Sequence, residues 1–113
     1  MNKIRLMIKT PDRNFFSEFS RSLPENQAFE ATLETEKVLR GMSESSLYVE
    51  ALVLFSSVCS GVLANAIWGY LEKNKKPKDS VKFEYKKETR VLIEKGSFKI
   101  EKSEFTRILE GKD

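Results

Sequence analysis

Few side chains in this sequence can do covalent chemistry. Histidine is absent, which removes the commonest general base and the commonest metal ligand. One cysteine, Cys59, lies inside an apolar run, where burial raises a thiol's pKa and leaves it a small hydrophobe. A zinc site therefore has no ligand set, and a Ser-His-Asp triad cannot be assembled. The five glycines are scattered, so neither a P-loop nor a dinucleotide fingerprint can be drawn. Carboxylates recur at Glu30, Glu34 and Glu36; on strands these would line a solvated face balanced by Lys and Arg. The concentrated chemistry that remains is cationic. Lys73, Lys75, Lys76 and Lys78, with Lys86 and Lys87 following, could contact a polyanion, or could simply favour the negative end of a helix dipole. No cofactor and no metal are expected, and the sequence reads as that of a non-enzyme.

Composition sets the frame for these groups. The chain has 113 residues, 40% hydrophobic and 33% charged, a globular balance that suits one domain over residues 1–113. Its 20 basic and 17 acidic residues are interspersed, and a net charge of +3 is small for a dedicated nucleic-acid binder. A lone cysteine forms no intrachain disulfide. The opening Met-Asn-Lys-Ile-Arg-Leu alternates charged and apolar residues and shows no signal-peptide pattern. A cytoplasmic protein is the expectation.

Periodicity then places the elements. Lys3–Lys9 alternates with period two and reads as a half-buried strand. Thr10-Pro11-Asp12 signals a helix start, and Phe15, Phe16, Phe19 and Leu23 fall on one helical face before Pro24. Ala28–Thr35 alternates again, and Glu36–Ser46, with Gly41 and Ser43, reads as a connection that Ser45 or Ser46 would end by capping a helix. Val81–Tyr85 and Arg90–Glu94 form a hairpin pattern with its turn in Lys86–Thr89. A last helix is expected over Ser103–Glu110. The expected fold is α+β: a two-layer sandwich in the order β-α-β-α-β-β-α, a mixed sheet with helices on one face and a charged open face.

The longest apolar run, Leu47–Leu71, is the element on which function turns. It is expected to be one helix continuing to about Lys73, and three roles are open to it. It is long enough for a membrane span, but Glu50 and Asn65 are costly in hydrocarbon. It could be a core helix covering the sheet. It could also carry an association face, since Glu50, Ser57, Gly61, Asn65 and Glu72 share a helical stripe interrupted by Leu54 and Trp68, and Ser57-x-x-x-Gly61 permits close backbone approach. The serines and Gly61 could alternatively mark a break.

Taken together, the strand IRLMI, the long helix with its SSVCSG centre and its Trp68, Leu71 and Lys73 end, and the following VKFEY strand resemble the effector-associated constant component family of bacterial conflict systems. Unlike that family's pattern, this chain is lysine-rich and carries Glu72 at a position that tends to be basic. The resemblance implies a non-enzymatic adaptor that works beside an effector partner in antiviral defence. The expected protein interface is Glu50, Ser57, Gly61, Asn65 and Trp68, with self-association possible. The alternatives are a nucleic-acid-binding accessory protein using Lys73, Lys75, Lys76 and Lys78, or a small protein anchored in a membrane through residues 47–71.

Overall fold

The structure is a computed structural model that describes residues 1–25, 29–40, 45–76 and 79–111. Its elements are β1 (Asn2–Thr10), α1 (Phe15–Ser22), β2 (Phe29–Arg40), β3 (Ser45–Phe55), α2 (Ser60–Asn74), β4 (Ser80–Tyr85), β5 (Glu88–Glu94), β6 (Ser97–Phe98) and α3 (Lys102–Glu110). The six strands form one open sheet in the order β2-β3-β1-β4-β5-β6, with every pairing antiparallel. The α+β class is as expected. The order of elements and the mixed sheet are not: the order is β-α-β-β-α-β-β-β-α, and the sheet contains no parallel pair.

The largest correction falls on the central run. Leu47–Phe55 belongs to a strand, not to the first half of a helix. β3 pairs with β1 along one edge, Thr10 with Leu47 through Asn2 with Phe55, and with β2 along the other. A strand bonded on both sides reads as a nearly continuous apolar run, because some side chains on its second face are also apolar. Within it, Leu47, Val49, Ala51, Val53 and Phe55 are buried, and Tyr48, Glu50, Leu52 and Leu54 on the opposite face are only half-buried. The chain breaks at Ser56, passes through a single 3-10 turn, Ser57–Cys59, and enters α2 at Ser60. Among the described residues no helix is long and apolar enough to cross a membrane.

Smaller corrections have local causes. β2 runs on to Arg40, through most of the expected connection, and a register shift between Leu33 and Thr35 lets Glu34 bulge. Ala28, Gly41, Ser43, Pro77 and Lys78 lie outside the described residues. Helix α1 starts at Phe15, four residues later than Pro11 suggests, because Thr10 ends β1 instead of capping. The Thr10 hydroxyl accepts the Asp12 N–H at 3.1 Å, and Asp12 Oδ1 accepts the Asn14 N–H at 2.9 Å. These two local bonds steer the chain from strand to helix. Helix α3 begins one residue before Ser103 and ends at Gly111, whose φ of 75° makes the left-handed cap that returns its N–H to the Arg107 and Ile108 carbonyls.

The core is continuous. Ile4, Leu6 and Ile8 of β1, Val49 and Val53 of β3, and Phe83 of β4 pack with Phe19 of α1, Leu63 and Ile67 of α2, and Phe105 and Leu109 of α3. Aromatic contacts lock the helices. Phe15 and Phe19 meet the Tyr70 ring edge-on at 5.6 and 5.5 Å, and Phe105 meets Phe83 edge-on at 5.1 Å.

Candidate docking face on helix α2

Helix α2 forms less from propensity than from packing: Ser60–Asn74 contains no proline but includes Gly61 and Gly69, and it buries Leu63, Ala64, Ile67, Trp68 and Leu71 on the core. It ends where Lys75 turns extended, with the Lys75 N–H on the Leu71 carbonyl at 2.9 Å and the Asn74 amide donating to the Tyr70 carbonyl at 2.8 Å. Asp79 fixes the exit: its carboxylate accepts the Lys76 N–H at 2.8 Å. That carboxyl is buried, and desolvation pushes its pKa up, opposed by the Lys76 N–H and the Thr10 hydroxyl. Among the described residues Asp79 Oδ1 has no hydrogen-bond partner, and neither has the buried Tyr70 hydroxyl, whose pKa burial pushes up to about 12.

One side of α2, with Leu63, Ala64, Ile67, Trp68 and Leu71, is buried. The other side is uncovered and mixed: Val62, Ala66 and Gly69 lie among exposed Asn65, Glu72 and Lys73. Val58 in the preceding turn is 90% exposed and Val62 is 50% exposed. Asn65 and Gly69 are exposed, Ala66 is half-buried, and a Cβ placed on Gly69 would meet nothing within 4 Å. A shallow groove runs beside this stripe, between Ser22 of α1 and Asn65, Ala66, Gly69, Lys73 and Asn74 of α2.

The five expected interface residues do not share one surface. Asn65 lies on the exposed side of α2, and Gly61 lies at its edge, with Glu110 Oε2 3.3 Å from where a Gly61 Cβ would sit. Ser57 sits in the turn, its hydroxyl accepting from the Asn2 amide at 2.8 Å. Trp68 is a core residue, 6% exposed and stacked on Phe98 at 4.0 Å. Glu50 lies on β3, on the sheet face opposite the core, where it accepts the Tyr48 hydroxyl at 2.6 Å. Burial first, then that bond, pushes the Tyr48 phenol up to about 12. Sequence reasoning missed Val58, Val62 and Gly69. No local pattern singles them out, because their exposure depends on where the other helices pack against α2.

The cationic groups also separate. Lys73, Lys75 and Lys76 lie at the end of α2, near the end of the sheet where Lys9 pairs with Ser80. Lys75 is drawn over the Phe98 ring at 4.8 Å. Lys86 and Lys87 lie at the opposite end of β4, beyond the pairing of Arg5 with Glu84. They do not extend the Lys73–Lys76 group into one patch.

The open sheet face is mixed in character, not simply charged. Arg5 donates to Glu34 at 3.0 Å and to Glu84 at 2.9 Å, joining β1 to β4 and, across β3, to the bulge of β2. The Glu34 bond, followed by the nearby carboxylates, raises the Arg5 pKa against its partial desolvation. Half-buried Met7, Leu52, Leu54 and Val91 share this face. Comparison of the chain with protein-family models, with curated proteins and with solved structures gives no match.

Proposed function

We propose that this chain is a non-enzymatic docking module that binds a protein partner through the exposed side of α2. The observation that carries the reading is the exposed pair Val58 and Val62 beside Gly69 and half-buried Ala66, a short uncovered stripe flanked by Asn65, Glu72 and Lys73. A partner helix laid along the stripe would bury the valines and approach closely at Gly69, and Lys73 at one end would select for acidic residues. The resemblance to effector-associated constant components makes an effector of a defence system the expected partner, and the chain its adaptor.

The test is affinity purification from the native host, with variants chosen to spare the free fold. Val62→Glu places a carboxylate on the stripe, and Gly69→Leu fills open space there. Val62→Glu should keep the wild-type thermal midpoint, Gly69→Leu should keep or raise it because leucine is the better helix former, and both should lose a stoichiometric partner. Gly61→Leu is less informative, since it would strike Glu110 within the chain. A partner retained equally by Val62→Glu and Gly69→Leu, or a wild type that brings down none, refutes the reading.

A further inference from the structure

The turn joining β4 to β5 places Lys86 and Lys87 both at positive φ, 53° and 66°. Two such residues in a two-residue hairpin make the turn for which Asn-Gly is the unstrained choice. The next turn of the same chain follows that preference more closely, with Lys95 at 51° followed by Gly96 at 76°. Lys87 therefore occupies a position where glycine would fit without strain. Backbone strain of this kind persists only where the surrounding structure holds it, and it clusters at functional sites.

Beside the turn lies a cleft of about 500 Å³, a volume suited to a small molecule. Lys3, Arg5, Lys86 and Lys87 line it against one carboxylate, Glu84, with Leu52 as an apolar wall. Glu84 is already engaged by Arg5 at 2.9 Å. Lys3, Lys86 and Lys87 form no ion pair among the described residues. Lys86 is positioned from two sides: its ammonium lies 5.4 Å from the Tyr85 ring centroid and 3.2 Å from where a Gly111 Cβ would sit, at the end of α3. Cations gathered around a concavity concentrate multiply charged anions.

We propose that this cleft binds a compact phosphate-bearing ligand of nucleotide size, its phosphates held by Lys3 and the Lys86-Lys87 turn. A long nucleic acid fits less well. Beyond the cleft the open face turns to the Arg5–Glu34–Glu84 network, where two carboxylates flank the one guanidinium and interrupt the basic surface before Lys82 and Lys9. The site is independent of the α2 docking face.

The test is titration of the full chain, followed by amide NMR at low and at physiological salt, with pyrophosphate, ADP, adenosine and a single-stranded oligonucleotide. Pyrophosphate and ADP should shift the amides of Lys3, Leu52, Glu84, Lys86 and Lys87, and adenosine should not. Lys87→Gly should raise the thermal midpoint and weaken pyrophosphate binding at least tenfold. Lys3→Gln should weaken binding without raising the midpoint. Absence of localised shifts at millimolar pyrophosphate overturns the proposal, as does a Lys87→Gly variant that binds like the wild type or gains no stability. An oligonucleotide that binds more tightly than ADP, with a steep loss on adding salt, overturns the choice of a compact ligand.

Discussion

Replacing Trp68 with alanine separates a core role from an interface role. The indole is 6% exposed, stacked on Phe98 at 4.0 Å and 6.1 Å from the Phe105 ring. An aromatic side chain of this kind buries roughly 200 Å². At about 25 cal/mol per Å² that is about 5 kcal/mol of transfer free energy. A compact denatured state already buries part of that surface, which brings the figure to about 3–4 kcal/mol. The cavity left behind and the lost ring contact with Phe98 act in the other direction, so about 4 kcal/mol is expected, within the usual range for such truncations. With a urea m-value of about 2 kcal/mol per M for a domain of this size, the midpoint should fall by about 2 M. Trp68 is the only tryptophan, so the unfolding curve is followed by circular dichroism instead of indole fluorescence. Val62→Ser serves as the control on the exposed side of the same helix and should change stability by no more than about 0.5 kcal/mol. A Trp68→Ala cost below about 1 kcal/mol would refute the packing described here and return Trp68 to an outward face.

Three further outcomes follow from the same geometry. Burial holds the Asp79 carboxyl above its ordinary 3.8, so the folded chain binds that proton more tightly than the unfolded chain. Stability from this site should therefore rise as pH falls through the raised folded value and level off below the ordinary one, and urea melts of Asp79→Asn between pH 7 and pH 4 should lack that contribution. A double-mutant cycle on Arg5 and Glu34, whose side chains are about one-third exposed, should give a coupling of under about 1 kcal/mol that shrinks with added salt. Amide exchange should be slowest in β1 and β3, which are bonded on both edges, and faster in β2 at the edge; fast exchange throughout residues 49–53 would contradict a central strand.

The sheet strands with clear alternation were legible because one face is wet and the other dry. Ile4, Leu6 and Ile8, and likewise Val81, Phe83 and Tyr85, carry that contrast in their spacing and are buried as the spacing implies. Residues Leu47–Phe55 do not, since Leu52 and Leu54 on the second face are as apolar as Val49 and Val53 on the first. Period two and period 3.6 cannot be distinguished in such a run, and an eleven-residue strand followed closely by a fifteen-residue helix looks like one long helix. The error carried forward to the site. A helical wheel begun at Leu47 put Glu50 and Trp68 on one stripe, whereas they end up on opposite sides of the sheet.

The sequence by itself determined the α+β class, the inward faces of β1 and β4, and the lack of any imidazole, since these depend on residue type and local period. Only the tertiary structure decided that Leu47–Phe55 pairs as a central strand, because strand pairing is set by partners distant in the chain. It also decided which side of α2 stays uncovered, since that depends on where α1 and α3 pack. Finally, it joined Lys3 to Lys86 and Lys87, because antiparallel pairing of β1 with β4 brings together residues that lie more than eighty positions apart.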